Sequence, residues 1–181
     1  MNIPNWITVS RLLGLPLLFL WLPSPDAPTC WWGVAVFLAA ASTDWLDGYL
    51  ARRLNQVTAL GKFLDPLVDK LLVLGPLLIL VEWGTVPAWG VGIILARELT
   101  IAGWRVNPQL GGQGEIPGAN GWGKVKTLSQ ITAIALLIAP LPPPYPRIGL
   151  ILFWGAVILT VISGLIYVVP RDKPQRPLTE G

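Results

Sequence analysis

The chain has 181 residues, of which 53% are hydrophobic and 13% are charged, and its formal net charge is +3. Soluble domains usually carry about a quarter of charged residues, so this composition argues against a soluble domain and indicates a membrane protein. The chain has no histidine and one cysteine, Cys30, which excludes histidine acid–base chemistry and an internal disulfide. We expect Cys30 to be a buried structural residue.

Six apolar segments, separated by proline, glycine or charged residues, predict six membrane-spanning helices of roughly 20 residues each. The segments fall at residues 6–22, 31–52, 62–82, 86–106, 124–140 and 147–169. The clearest boundary is the proline-rich run from Leu141 to Pro146, because a helix interior does not tolerate such a run. We therefore predict an all-α polytopic membrane protein, with a six-helix transmembrane domain over 1–170 and a short cytoplasmic tail over 171–181.

Basic residues are distributed unevenly among the predicted connections, and this predicts the orientation. They flank the second and fourth connections and occur in the tail, at Arg52, Arg53, Lys62, Lys124, Lys126, Arg171, Lys173 and Arg176. The first and third connections contain no lysine or arginine, and the fifth contains only Arg147. By the positive-inside rule, both termini and the second and fourth connections face the cytoplasm. Tryptophans near the predicted helix ends are typical of the membrane interface.

Four of the ten carboxylates lie close together on the second and third predicted helices. Asp44 and Asp47 are spaced i, i+3, and Asp65 and Asp69 are spaced i, i+4, so each pair shares one helix face. If the two helices are antiparallel, Asp47 lies level with Asp65, and Asp44 lies level with Asp69. At about 1.5 Å per residue, Asp44 lies roughly 12 Å below Arg52, near the depth at which lipid headgroups end.

Four carboxylates at that depth would repel one another and take up protons unless a cation compensated them. Oxygen ligands of this kind select Mg²⁺, Mn²⁺ or Ca²⁺, and four of them can hold two ions about 3.5–4 Å apart, an arrangement that clamps a transferring phosphoryl group. The alternative is that these are solvated acids paired with the flanking basic residues. The small residues Gly48, Ala51 and Gly61 beside them favour the metal site over this alternative.

These residues also resemble a known pattern. The string Asp44-x-x-Asp47-Gly48-x-x-Ala51-Arg52, then eight residues, then Gly61-x-x-x-Asp65-x-x-x-Asp69, is similar to the signature of the CDP-alcohol phosphatidyltransferase family. The resemblance implies the six-helix fold of that family and a two-metal site that faces the cytoplasm. It also implies Mg²⁺ as cofactor, or Mn²⁺ in its place, and transfer of a phosphatidyl group from a CDP-linked lipid to an alcohol.

The resemblance assigns roles residue by residue. It makes all four aspartates, Asp44, Asp47, Asp65 and Asp69, metal ligands, and it makes Asp69 the base that activates the acceptor hydroxyl. The residues that it places against the CDP-lipid are Gly48, Ala51, Arg52, Gly61 and Thr8.

Further motifs resemble the members of the family that use glycerol 3-phosphate as acceptor. These motifs are Asn2–Arg11, Gly61–Lys70, Ala96-Arg97-Glu98 and Gly123–Thr127. They imply that CDP-diacylglycerol and glycerol 3-phosphate are converted to phosphatidylglycerophosphate and CMP in phospholipid biosynthesis. The resemblance further implies a homodimer in the inner membrane of a bacterial cell, with the active site facing the cytoplasm.

A dianionic acceptor needs a cationic pocket, for which the candidates are Arg97, Lys124, Lys126 and Arg11. Arg97 and Glu98 are adjacent, so we do not expect them to pair along their own helix, and each needs a partner elsewhere. The Gly-rich connection 107–120 departs from the family pattern, so its contacts to the acceptor stay unassigned. Two alternatives remain open: another acceptor, such as inositol phosphate, inositol or serine, and a transporter that uses intramembrane carboxylates.

Overall fold

The computed structural model describes the backbone of residues 3–25, 28–54, 59–106 and 121–168, and within this part it contains six α-helices and no strand. Side chains are described at 10–25, 28–43, 67–68, 70–103 and 125–165. The helices are α1 (Ile3–Trp21), α2 (Cys30–Leu54), α3 (Ala59–Glu82), α4 (Ala88–Val106), α5 (Gly121–Ile138) and α6 (Tyr145–Val168). The prediction of an all-helical chain with six helices is confirmed for the described residues.

Five of the six helices begin earlier than the sequence predicted, and proline explains the difference at two of them. Helix α1 begins at Ile3, and α6 begins at Tyr145, so Pro4 and Pro146 each lie in a first turn. Proline is tolerated there because its missing N–H would have no partner within the helix. At the end of α3, Gly84 has a φ of 69°, and the Thr85 N–H donates to the Leu80 carbonyl at 2.9 Å. This glycine cap closes α3 and permits the short connection to α4.

The helices pack in a bundle in which α3 and α5 each contact several neighbours. Helix α1 packs against α2 and α3, α4 packs against α3 and α6, and α5 contacts α2 and α3 as well as α6. The α5–α6 pair forms the most extensive helix contact, and Gly149 permits its close approach, because a Cβ there would lie 2.9 Å from Leu137 Cγ. Helix α5 is therefore placed between the aspartate-bearing helices α2 and α3 and the hairpin partner α6.

The bundle interior is divided into an apolar end and a polar end. All six helices contribute to one apolar core, which includes Leu18, Phe37, Leu80, Ile94, Ile134 and Phe153. Four polar side chains are buried among the described residues, and each lies on the part of its helix nearer the opposite end of the bundle. They are Arg11, Lys126, Gln130 and Thr160. This polar end includes the C-terminal end of α2 and the N-terminal end of α3.

The outer surface of the bundle is apolar. Large apolar side chains are exposed on every helix, including Leu20, Trp32, Leu78, Leu99, Leu128 and Ile151. By length and composition, one helical segment of the described chain, Tyr145–Leu165, is long and apolar enough to cross a membrane, and Ser10–Trp21, Cys30–Thr43 and Val125–Ile138 are shorter apolar segments. An apolar surface on all sides is unusual for a soluble monomer.

Cys30 lies at the apolar end of the bundle. Its side chain is fully buried, and Sγ donates to the Ser24 carbonyl at 3.2 Å. The predicted burial of Cys30 is confirmed.

Candidate active site

The four predicted aspartates lie on two helices that contact each other. Asp44 and Asp47 are in α2, and Asp65 and Asp69 are in α3, while their side chains lie outside the described residues. The roles predicted for them therefore stay predictions.

A small apolar cluster fixes how α2 and α3 face each other just beyond the aspartates. Ala40 of α2 packs with Val68 and Leu72 of α3, and all three are buried. By helical spacing, Asp44 is at i+4 from Ala40, and Asp69 is at i−3 from Leu72, so each aspartate position lies about one turn from this contact. The contact agrees with the predicted antiparallel register, in which positions 44 and 69 are level.

A second group of charges joins α4 to α5. Lys126 of α5 donates from Nζ to Glu98 Oε1, and Arg97 Nη1 donates to the same oxygen at 3.0 Å. The side chains of Lys126, Arg97 and Glu98 are only 4%, 17% and 23% exposed. Glu98 thus holds two predicted acceptor-binding cations together in a largely buried setting. We call Arg97, Glu98 and Lys126 the charged cluster.

The charged cluster spans a gap between helices. The described Cα atoms of α4 and α5 do not come within 8 Å of each other, so the long side chains of Glu98 and Lys126 bridge the distance. On α6, Gly164 faces Arg97, whose Cγ would lie 3.5 Å from an added Cβ. A small residue at position 164 therefore leaves room for the guanidinium stem. Lys70 of α3 also acts electrostatically on Glu98 and Lys126.

One prediction about these residues is wrong. The sequence led us to expect no pairing between Arg97 and Glu98, because adjacent residues point in different directions around a helix. The structure pairs them, since both side chains are long and Arg97 Nη1 reaches the Glu98 oxygen that also accepts from Lys126. The expected partner elsewhere does exist for Glu98, and it is Lys126.

The remaining predicted site residues are placed less completely. Arg11 is buried in α1, at 3% exposure. The others, which are Thr8, Gly48, Ala51, Arg52, Gly61 and Lys124, lie within helices, but their side chains are outside the described residues. The connection 107–120 and the tail 171–181 also lie outside the described part. Of the predicted acceptor residues, the described structure brings together Arg97 and Lys126.

Sequence reasoning missed two residues at the polar end. Glu98 was noted within a motif but was not assigned to the site, although it is the only acid in α4. Gln130 was not noted at all, and it lies one turn after Lys126 on α5 with 6% exposure. For Glu98, the available signal was an isolated carboxylate in an apolar helix, which is costly unless it is paired. No comparable signal marks Gln130.

Comparison with known proteins agrees with the predicted family. The profile of the family described as CDP-alcohol phosphatidyltransferase matches residues 1–162. A relative from Bacillus subtilis is 43% identical over 182 residues, which covers 92% of this chain and 93% of the relative. Relatives from Pseudomonas fluorescens and Haemophilus influenzae are 39% and 36% identical, and they cover 91% and 92% of this chain and 84% and 91% of their own lengths.

All three relatives bear the name CDP-diacylglycerol–glycerol-3-phosphate 3-phosphatidyltransferase. The family match covers the four aspartates, the charged cluster and all but the last part of α6. The fold of six helices is consistent with this match. The family predicted from the aspartate spacing is confirmed, and this chain belongs to the CDP-alcohol phosphatidyltransferase family.

Proposed function

We propose that this protein transfers the phosphatidyl group of CDP-diacylglycerol to the primary hydroxyl of sn-glycerol 3-phosphate, which yields phosphatidylglycerophosphate and CMP. The observation that carries this proposal is the similarity, over more than nine-tenths of the chain, to relatives named for that reaction. The same reaction was implied by the sequence motifs, and the charged cluster supplies a physical reason for a phosphorylated acceptor.

Among the described side chains, the charged cluster and Lys70 contain more cations than carboxylates. Arg97 and Lys126 both bind the carboxylate of Glu98, and the charge of Lys70 acts on Glu98 and Lys126. A phosphate monoester carries about −1.5 to −2 at pH 7, so these cations suit it. Arg97 can bind phosphate oxygens through its planar guanidinium, and Lys126 through its ammonium.

The acceptor pocket would lie beside the helix of the proposed base. Lys70 is adjacent to Asp69 in α3, and its charge reaches Glu98 and Lys126. In the proposed mechanism, the charged cluster holds the acceptor phosphate, and Asp69 removes the proton from the attacking hydroxyl. Holding the two substrates in this geometry replaces a bimolecular encounter with an oriented one.

The four aspartates are the proposed ligands of a divalent metal site, and members of this family generally depend on a divalent metal. Their donor set consists of carboxylate oxygens alone, which fits Mg²⁺ or Mn²⁺, and the Ala40–Leu72 contact supports the facing register that the site requires. Two bound ions would supply Lewis-acid stabilisation of charge on the pyrophosphate. Asp44, Asp47, Asp65 and Asp69 would hold them.

The CDP-lipid would lie along α2 and the start of α3. Small residues at positions 48, 51 and 61 leave space for the nucleotide against the helix surface, and Arg52 would pair with phosphate oxygens. Thr8 and Arg11 of α1 would line the same end of the bundle. Arg11 is buried within it, and α1 packs against both aspartate-bearing helices. Lys124 would complete the cationic border of the acceptor pocket.

We further propose that all six helices span the bacterial inner membrane, with both termini and the active site on the cytoplasmic side. The exposed apolar side chains on every helix support lipid contact, and the basic residues of the second and fourth connections support the orientation. The lipid tails of the donor could then stay in the bilayer while its headgroup reacts. The homodimer remains a proposal that rests on the family resemblance.

Purified protein, supplied with CDP-diacylglycerol, Mg²⁺ and one acceptor at a time, tests the proposed reaction. We expect CMP release and phosphatidylglycerophosphate formation with glycerol 3-phosphate, and little turnover with inositol or serine. Turnover with inositol phosphate but not with glycerol 3-phosphate would contradict the proposed acceptor and leave the proposed phosphatidyl transfer intact. Absence of CMP release with every acceptor would contradict the transferase itself.

A further inference from the structure

Gln130 presents a buried amide donor without a partner. The residue is 6% exposed, and its Nε2 has no hydrogen-bond partner in the described part of the chain. Buried amides are normally hydrogen-bonded, because burying an unpaired donor costs the lost interaction with water. A buried donor that has no partner among the described residues is suited to a ligand that arrives later.

Gln130 lies on the inward face of α5. Lys126 precedes it by one turn on the same face, and Ala133 and Ile134, in the next turn, belong to the apolar core. The outward face of the helix, which includes Leu128 and Thr132, lines an apolar groove between α5 and α6 instead. Gln130 is therefore the last polar residue on the inward face of α5 before the apolar core begins.

The same boundary occurs on α2 and α3, which α5 contacts. On α2 it falls between the buried Ala40 and Asp44, and on α3 it falls between the buried Leu72 and Asp69. If this boundary falls at one depth on all three helices, Gln130 is at the level where the aspartate positions of the neighbouring helices begin. Lys126 is about 6 Å nearer the start of α5, at 1.5 Å per residue.

We propose that the Gln130 amide donates a hydrogen bond to the C2 hydroxyl of glycerol 3-phosphate and thereby selects this acceptor over phosphorylated alcohols without that hydroxyl. The proposal rests on the proposed function. With the acceptor phosphate at Lys126, a three-carbon acceptor extends along α5 for about one helical turn. Its C2 hydroxyl then reaches Gln130, while the terminal hydroxyl continues toward the helix that carries Asp69.

A site that hydrogen-bonds a hydroxyl rejects an analogue that lacks it, since the donor is then left unpaired. The matching analogue is 3-hydroxypropyl phosphate, which keeps the phosphate and the attacking hydroxyl and lacks only the C2 hydroxyl. We expect the wild-type protein to prefer glycerol 3-phosphate in kcat/KM by about tenfold or more, the value of one good hydrogen bond.

The test compares both acceptors, with CDP-diacylglycerol and Mg²⁺, in wild type, Gln130→Met and Thr132→Val. Gln130→Met keeps the side-chain length and removes the donor, so kcat/KM should fall for glycerol 3-phosphate and stay within about twofold for 3-hydroxypropyl phosphate. Thr132→Val is the matched control, because the Thr132 hydroxyl donates to the Leu128 carbonyl of its own helix at 2.8 Å. This control should keep the wild-type preference.

Gln130→Leu, which removes the donor and adds no charge, should narrow the preference for glycerol 3-phosphate over 3-hydroxypropyl phosphate in the same way if Gln130→Met does not fold. Equal losses of kcat/KM for both acceptors would show a packing role for Gln130 and overturn the inference. An unchanged preference for glycerol 3-phosphate in both variants, or no such preference in wild type, would also overturn it. Wild type that makes no phosphatidylglycerophosphate would overturn the proposed function and this inference together. Normal wild-type turnover with an unchanged preference in the variants overturns the inference alone.

Discussion

Replacing Glu98 with glutamine should destabilise the protein, because it leaves two cations without their shared carboxylate. Lys126 is only 4% exposed, and Arg97 is 17% exposed, so water compensates little of the charge that remains. Removal of one partner from a buried ion pair costs about 3–5 kcal/mol. At about 2–4 °C per kcal/mol for a chain of this size, Tm should fall by roughly 6–20 °C.

Thermal unfolding of the purified protein in detergent, followed by circular dichroism, measures this loss. Glu82→Gln is the matched control, because Glu82 is exposed at the end of α3. The control should change the free energy of unfolding by about 0.5 kcal/mol or less. A loss in Glu98→Gln no larger than in this control would refute the argument from buried charge.

A double variant separates the ion pair from other effects of residue 98. Lys126→Met keeps the length of the side chain and removes the ammonium, so Glu98→Gln with Lys126→Met should be more stable than the sum of the two single losses predicts. The difference should be about 0.5–3 kcal/mol, the range found for residues in contact. Losses that simply add would mean that Glu98 and Lys126 do not stabilise each other.

The same single variant should also alter acceptor binding selectively. Because Glu98 orients Arg97 and Lys126 and is not itself a phosphate ligand, we regard it as a positioning residue. Glu98→Gln should raise KM for glycerol 3-phosphate and leave KM for CDP-diacylglycerol close to the wild-type value. Equal changes in both constants would indicate a general loss of structure.

Three further predictions concern the chemistry and the packing. Asp69→Asn should lower turnover by about 10²–10⁴-fold, the usual contribution of a general base, while CDP-lipid binding persists in a binding assay, and a fully active variant would remove Asp69 as the base. Chelation with EDTA should stop CMP release, and added Mg²⁺ or Mn²⁺ should restore it, whereas activity that survives exhaustive chelation contradicts the metal site. Gly149→Ala should cost about 1–3 kcal/mol in thermal unfolding, because the new Cβ would lie 2.9 Å from Leu137 Cγ and 3.2 Å from Leu136 Cβ, whereas Gly155→Ala, with nothing within 4 Å, should be neutral or slightly stabilising.

Patterns confined to one stretch of sequence predicted the fold and the family. Apolar segments of membrane-spanning length, interrupted by proline and glycine, gave the number of helices, and the errors at Pro4 and Pro146 arose because proline is excluded from helix interiors and not from first turns. The aspartate spacing lies within 26 residues on consecutive helices, so helical geometry alone relates its members. The Ala40–Leu72 contact agrees with that register.

Contacts between distant segments could not be predicted in this way. Glu98 and Lys126 are 28 residues apart, and the residue pattern of α4 or α5 alone does not predict that these two helices face each other across a gap. The rule for adjacent helical residues failed at Arg97 and Glu98, because it considers the directions of the Cβ atoms and omits the reach of two long side chains of opposite charge. The aspartates were recognised as a group, whereas the residues that would bind the acceptor occur singly on several helices.

The free-energy cost of burying an unpaired polar group nevertheless holds for a single residue as much as for a cluster. A buried carboxylate in an apolar helix requires a cation, and a buried amide requires a hydrogen-bond partner, whatever its neighbours in sequence are. Glu98 satisfies its requirement within the protein, through Arg97 and Lys126, so its removal should affect stability as well as acceptor binding. The Gln130 Nε2 has no partner in the described chain, so its requirement is best met by substrate, and its removal should affect acceptor selection far more than stability. Comparison of Glu98→Gln with Gln130→Met therefore distinguishes a residue that positions the cations of the site from a residue that hydrogen-bonds the acceptor.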